Sequence, residues 1–170
     1  MCWRLNAASR CWGNDVRLEE SVEIRAPRDV IWEVLADAER HPMFMAGLTR
    51  WDVQNGPEMR CGTRINMRMK VGSAQVGSLI EVTEFEPSAD LAWNSVTGID
   101  QRGRWRLREV GPDRTKVTLR LAYQAPGGLI GWVVDQIGAR DVRRNLRRSV
   151  ESLKDQVEAG VGRAPAPRAG

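Results

Sequence analysis

The sequence PGGLIGWVVDQIGARDVRRNLRRSVESLKDQV, residues 126–157, is the longest helical pattern in a chain of 170 residues. Its first third is almost wholly apolar and holds Gly127, Gly128, Gly131 and Gly138. The rest is polar, with a narrow apolar seam at a helical spacing of three and four residues. Because a glycine costs about 1 kcal/mol relative to alanine in a helix interior, we expect these glycines either to allow close packing or to leave space open. The side facing the core should carry Leu129, Trp132, Val133, Gln136, Ile137, Val142, Leu146, Val150, Leu153 and Val157.

Upstream of this helix the sequence alternates between apolar and polar residues, as β-strands do. In RINMRMKV, residues 64–71, the apolar side chains face one way and the arginines and lysine the other. The links between such segments are short and rich in turn residues, which predicts an antiparallel meander with one wet and one covered face. The predicted strands are residues 16–26, 48–54, 62–71, 74–85, 90–97, 103–110 and 115–124.

A helix is predicted between the first and second strands, over PRDVIWEVLADAER at residues 27–40. Its apolar face consists of Val30, Ile31, Val34 and Leu35, with Trp32 at the edge. We expect it to end at His41, because the residue before a proline disfavours the helical region. The following MFMAGL is predicted to be a short turn or a second short helix.

Length and composition describe a single domain of ordinary globular type, and the strands and helices predicted above make its fold class α+β. We expect a loosely ordered extension at residues 1–15, a domain at 16–158 and a disordered tail at 159–170.

The three cysteines form neither a disulfide framework nor a zinc pattern, and no signal peptide or membrane-spanning run is visible. The expected location is therefore cytoplasmic, with peripheral membrane contact as the alternative, and the expected state is a monomer or weak dimer. No metal, cofactor or nucleic-acid partner is expected, because no ligand cluster, phosphate loop or stacking surface is apparent.

The order strand, helix, short helix, six-strand meander and long helix resembles the START-like, Bet v 1-like (SRPBCC) superfamily. Within it, the chain is most similar to the polyketide cyclase/dehydrase and lipid-transport group, over about residues 16–158. The resemblance implies a helix-grip fold, in which a seven-stranded curved antiparallel sheet wraps around the last helix, with two short helices after strand 1 and a cavity inside. The stretches that carry it are SVEIRAPRDVIWEVLADAERHPMF (21–44), LIEVTEFEPSADLAWNS (79–95), GRWRLREVGPDRTKVTLRLAY (103–123) and PGGLIGWVVDQ (126–136).

Candidate cavity walls follow from strand parity and helix phase. The methionines could adapt to an irregular apolar ligand, because a thioether is flexible and polarizable, although they could equally fill gaps in the core. The predicted wall residues are Met43, Phe44, Met45, Met67, Met69, Ile80, Val82, Trp93, Trp105, Leu119, Tyr123, Trp132, Val133 and Gln136.

Only three side chains are weak candidates for catalysis. His41 is the one histidine and could act as a base, but a position at a helix end or on the surface is the stronger expectation. Tyr123, the one tyrosine, faces inward by parity and could orient a ligand or bond to the backbone. Glu84 shares the parity of Ile80 and Val82, so it could point inward with a raised pKa, or lie at the wet rim of the sheet.

The segment RDVRRNLRR, residues 140–148, carries a net charge of +4 in nine residues. It could bind an anionic membrane or a protein partner, or it could be a solvated helix face with local pairs to Asp141 and Glu151. The arginines concerned are Arg140, Arg143, Arg144, Arg147 and Arg148.

These observations lead to three alternative functions. The first is binding of a small hydrophobic ligand, such as a lipid, sterol, quinone or polyketide-like compound, between the sheet and the C-terminal helix. The second is a polyketide cyclase or aromatase that acts in the same cavity, which leaves open whether the protein is an enzyme. The third is an interaction module that uses the basic helix face.

Overall fold

The computed structural model describes residues 15–54, 56, 58–124 and 131–161, with side chains for all of them except 15 and 131–137. The expectations for residues 1–14 and for the tail from residue 162 lie outside this part of the chain. The strands are β1 (Asp15–Ile24), β2 (Leu48–Val53), β3 (Arg64–Val71), β4 (Ala74–Glu86), β5 (Asp90–Gly98), β6 (Gln101–Gly111) and β7 (Arg114–Gln124). The helices are α1 (Arg28–Ala36), α2 (His41–Phe44) and α3 (Gly131–Val161), with a 3₁₀ turn at Ala38–Arg40.

The seven strands form one antiparallel sheet in the order β1-β7-β6-β5-β4-β3-β2. Strands β2 to β7 follow one another as hairpins, and β1 closes the row by pairing with β7 from Asp15↔Gln124 to Ile24↔Thr115. The sheet curls into a half-barrel against α3, which confirms the predicted α+β helix-grip architecture. Helix α3 continues to Val161, beyond the predicted domain boundary at residue 158.

The core lies between the concave face of the sheet and the helices. Trp105 and Leu119 are fully buried on the sheet side, and Ile31 and Leu35 are fully buried on α1. Burial of such a side chain contributes roughly 1.5–3 kcal/mol, which is why the alternating pattern fixes the face that each strand presents. The C-terminal half of α3 supplies the seam that the sequence predicts, with Leu146, Val150, Leu153 and Val157 buried.

The end of α1 differs from the prediction. Helix α1 stops at Ala36 and not at His41, because Asp37 adopts an extended conformation (φ −83°, ψ 106°). The Asp37 carboxylate then accepts a hydrogen bond from the Glu39 N–H at 2.9 Å and so caps the next turn. His41 begins α2, where Pro42 occupies a first-turn position that needs no N–H donor.

Two further features concern the chain as a whole. No helix in the described part of the chain combines the length and apolarity needed to cross a bilayer. Cys61 is disulfide-bonded, although the three cysteines show no pattern of a disulfide framework in the sequence.

Candidate ligand-binding cavity

A cavity of about 470 Å³ lies between the concave face of the sheet and α3. This volume is within the usual range of about 300–1,000 Å³ for small-molecule sites. Its walls come from β3 to β7, from the β3–β4 turn and from the α3 segment between Gly138 and Ser149. Among the predicted wall residues whose side chains the structure describes, six line it, namely Met45, Met67, Met69, Trp93, Leu119 and Tyr123.

Gly138 opens this cavity on the helix side. A Cβ atom built on Gly138 would meet none of the described atoms within 4 Å, and the residue belongs to the cavity wall. Of the two explanations offered for the helix glycines, open volume therefore applies here. The other helix glycines at residues 127 and 128 lie outside the described residues, and the side chains of Trp132, Val133 and Gln136 are likewise not described.

A second, much smaller hollow lies deeper in the core. It measures about 20 Å³, which is room for roughly one water molecule. Ile80, Val82 and Trp105 line this hollow and not the large cavity. They are almost completely buried, so we assign them to the packed core beneath the cavity. Trp93 borders both spaces and separates them together with Met45 and Met67.

Two of the predicted wall residues on α2 do not reach either space. Met43 is 67% exposed, so its prediction as a wall residue was wrong. Helix α2 is a single turn of four residues that turns Phe44 inward, and Met43 consequently points to solvent. Phe44 is buried, and it packs edge-on against Trp105 with ring centroids 6.0 Å apart. Phe44 is thus a core residue and not part of the cavity wall.

Glu84 faces the outside of the sheet, which corrects the parity argument for an inward carboxylate. In the β4–β5 ladder Val82 pairs with Trp93 and Glu84 pairs with Ala92, so Thr83 is an extra residue in β4. Such a bulge exchanges the two faces for every residue that follows it. Glu84 therefore forms an ion pair with Arg104 on the outer face, and Phe85 turns inward onto Trp32 at a centroid distance of 5.0 Å.

His41 is buried, which contradicts the expectation of a surface position. Its ring stacks on Trp51 at 4.8 Å with an interplanar angle of 6°, and it lines the small hollow. The Nδ1–H donates to the Asp37 carbonyl at 3.1 Å. Burial lowers the pKa of His41 from 6.5 to about 4, against the opposing influence of Asp37. His41 is therefore neutral near pH 7 and lines the hollow instead of the large cavity, so no role as a base toward a ligand follows.

The polar side chains of the cavity wall mostly bind protein atoms. On α3, Asn145 Nδ2 donates to the Lys70 carbonyl at 2.9 Å. Ser149 Oγ donates to the Asn145 carbonyl at 2.8 Å and accepts from the Ala46 N–H at 2.9 Å. The bonds to Lys70 and Ala46 hold the middle of α3 against β3 and the link between α2 and β2, and the rest of the wall is largely apolar.

Three carboxylates on the outer face could in principle hold a metal ion. Oxygens of Glu84, Glu86 and Asp90 lie within 4.8 Å of one another. Arg106 Nε donates to Asp90 at 2.8 Å, and Arg104 contacts both Asp90 and Glu84. Two guanidinium groups thus already compensate the cluster, and we assign no metal to it.

The basic face of α3 is exposed at all five predicted arginines. Three of them have acidic neighbours: Arg143 lies 3.6 Å from Glu20, Arg147 lies 3.3 Å from Glu151, and Arg144 pairs with Asp141. Pairs of this exposed kind contribute little stability, typically 0–1 kcal/mol. The local pairing to Asp141 and Glu151 that the sequence suggested is present, and Arg140 and Arg148 are exposed on the same helix.

Several wall residues were absent from the sequence-based set. Val71, Val76 and Leu121 line the cavity and share strand parity with Met69, Ile80 and Leu119 respectively, so the alternation alone could have identified them. Gln101 also lines it, but the sequence placed this residue in a turn. Its register partner is Tyr123, because β6 begins two residues before the predicted strand.

The curled sheet closed by α3 over an internal cavity defines a START-like ligand-binding fold. A model of the family described as polyketide cyclase / dehydrase and lipid transport matches residues 15–158, and the chain belongs to this family. An uncharacterized protein of Mycobacterium tuberculosis is 26% identical over 114 residues, covering 66% of this chain and 50% of that protein. The chain thus spans about half the length of this relative.

Two solved structures illustrate the likeness in fold. The Zhui aromatase/cyclase from Streptomyces sp. R1128 superposes with a TM-score of 0.73 at 19% identity, covering 90% of this chain and 99% of that one. A START superfamily protein from Mycobacterium smegmatis gives a TM-score of 0.65 at 16% identity, covering 83% and 98%. At these identities the comparison establishes the shared fold.

Proposed function

We propose that the protein binds one small hydrophobic molecule in the cavity between the sheet and α3. The cavity of about 470 Å³, walled largely by methionine, valine, leucine and tryptophan side chains, is the observation that carries this proposal. The ligand would be a lipid, sterol, quinone or polyketide-like compound, held for transport, sequestration or presentation. Its affinity would come from apolar burial, at roughly 25 cal/mol per Å² removed from water.

The first experiment asks whether a ligand is present and where it binds. Native mass spectrometry of the purified protein, followed by organic extraction, would detect and identify a molecule that co-purifies. The emptied protein would then be titrated with N-phenyl-1-naphthylamine, an uncharged apolar fluorophore, and with a panel of lipids, sterols, quinones and aromatic polyketides. We expect saturable binding at one molecule per chain.

A matched pair of helix variants locates the bound molecule. Gly138→Leu places a side chain into the cavity, whereas Gly160→Leu adds the same side chain at an exposed position of the same helix with no atom within 4 Å. Overfilling a packed site typically costs about 1–3 kcal/mol, so Gly138→Leu should weaken binding roughly 5- to 150-fold. Gly160→Leu should bind as the original protein does. Equal affinity in both variants, or no binding to the panel, would contradict the proposal.

A cyclase or aromatase activity in the same cavity is the second candidate, favoured by the family and by the fold shared with the Zhui aromatase/cyclase. Such activity would rest on holding a flexible chain in a reactive conformation, which alone can supply several kcal/mol of a barrier. Of the three catalytic candidates from the sequence, Tyr123 lines the cavity, while His41 and Glu84 do not. Tyr123 is therefore the residue on which this alternative is best tested.

A further inference from the structure

The amide of Gln101 is an unusual element of the cavity wall. Its Nε2 lies 3.5 Å from the Sδ of Met67, and both residues line the cavity. A thioether sulfur is a weak hydrogen-bond acceptor, whereas a side-chain amide carries two N–H donors. The amide group of Gln101 thus donates to a poor partner in the Met67 sulfur.

Other polar side chains of the wall differ from Gln101 in this respect. Ser78 Oγ donates to the Ile99 carbonyl at 3.1 Å, and Asn145 Nδ2 donates to the Lys70 carbonyl at 2.9 Å. Both groups have oxygen acceptors of normal strength. A ligand gains little by competing for those donors, whereas an oxygen atom next to Gln101 would replace a sulfur contact with a stronger bond.

The backbone around Gln101 is held in place before any ligand arrives. The Gln101 N–H donates to Ser95 Oγ at 2.9 Å, and that hydroxyl donates to Asp100 Oδ1 at 3.2 Å. The Asp100 carbonyl in turn accepts from the Gln124 N–H at 2.9 Å, which joins the β5–β6 turn to the end of β7. Because these bonds order the backbone in advance, a ligand would pay little entropy to meet the amide.

We propose that Gln101 selects ligands that carry a hydrogen-bond acceptor oxygen, such as a carbonyl, on an otherwise apolar skeleton. This inference rests on the proposed binding function and adds the chemistry of the ligand to it. The ligand oxygen lies against the Gln101 amide, and the Met67 thioether, which is flexible, turns aside. Tyr123, the register partner of Gln101 on β7, lies next to this position on the concave face.

The test compares two ligands of equal shape, 2-acetylnaphthalene and 2-isopropenylnaphthalene, which differ only in a C=O group against a C=CH₂ group. The measured quantity is the ratio of their affinities, so that differences in water solubility cancel between protein variants. Gln101→Met keeps the side-chain length and removes the donors. We expect the preference for the ketone to fall roughly 3- to 10-fold in this variant, the range for one net hydrogen bond.

Two further variants complete the test. Gln75→Met makes the same exchange at an exposed position on β4 and should leave the ratio unchanged. Met67→Leu removes the competing sulfur at nearly constant side-chain volume, and it should maintain or enlarge the ketone preference. A ratio that is unchanged in Gln101→Met, or that falls equally in Met67→Leu, would overturn the role of Gln101 while leaving ligand binding intact. Failure of both naphthalenes to bind the original protein would instead contradict the binding function itself.

Discussion

His41 should make the stability of this protein depend on pH between about pH 7.5 and pH 4. It is the one histidine in the sequence, and burial lowers its pKa from 6.5 to about 4. Between these two values the unfolded chain binds a proton that the folded chain does not bind. The free energy of unfolding therefore has its full value, as far as His41 is concerned, above about pH 6.5, and it decreases as the pH falls toward 4.

The size of this loss follows from the two pKa values. With 6.5 for the unfolded and about 4 for the folded chain, the linkage relation gives a loss of about 2 kcal/mol between about pH 7.5 and about pH 5. The full difference, reached below pH 4, is about 3 kcal/mol. For a domain with a typical stability of about 5–15 kcal/mol, either value is readily measurable.

Urea unfolding at several pH values provides the assay, with His41→Gln as the control. Glutamine retains an N–H that can donate to the Asp37 carbonyl but does not titrate, so the variant reports the contribution of the carboxylates alone. Subtracting its pH dependence from that of the original protein should leave the loss of about 2 kcal/mol. Equal slopes for the two proteins, or an NMR titration of His41 with a midpoint near 6.5, would refute the reasoning.

Three other variants test separate parts of the structure. Gly103→Ala should cost about 1–3 kcal/mol in urea unfolding, because its Cβ would overlap the Trp93 ring, whereas Gly111→Ala on the same strand meets no atom within 4 Å and should cost far less. If the protein is a cyclase that uses its one tyrosine, Tyr123→Phe should lose product formation, followed by mass spectrometry, while ligand titrations stay within about threefold; unchanged turnover would exclude this role. If the basic face of α3 binds membranes, Arg140→Glu should lower co-sedimentation with phosphatidylserine vesicles about tenfold or more at low salt, and binding that is insensitive to salt would argue against it.

The strand boundaries could be predicted because turn residues mark them. Gly72, with φ +59°, lies in the two-residue link between β3 and β4, and the ends of those strands agree closely with the sequence pattern. Alternation then gave the inward faces of β3 and β7 correctly, including Met67 and Leu119. In these strands the burial of apolar side chains determines which face is inward, and the alternation of apolar and polar residues in the sequence shows that face directly.

The details of the site could not be predicted in the same way. Met43 and Phe44 are adjacent apolar residues, and only the single turn of α2 determines which of them is buried. Trp93 and Trp105 both face inward, yet the depth of each along the curled sheet decides that Trp93 borders the large cavity and Trp105 only the small hollow. Depth in a concave fold depends on the curvature of the whole sheet, which no local pattern records.

The extra residue Thr83 has a consequence for how this protein is compared with its relatives. Beyond Thr83, an alignment that matches letters position by position pairs a side chain inside one protein with a side chain outside another wherever the bulge is missing. If the ladder continued without the bulge, Thr83 would pair with Ala92, Glu84 would turn toward the interior and Phe85 toward water, whereas deletion of Thr83 would leave both residues on their present faces. The presence or absence of one bulge in β4 thus separates an apolar inner surface from one that bears a carboxylate, which makes this short segment a place where a member of the family could acquire new chemistry without changing its fold.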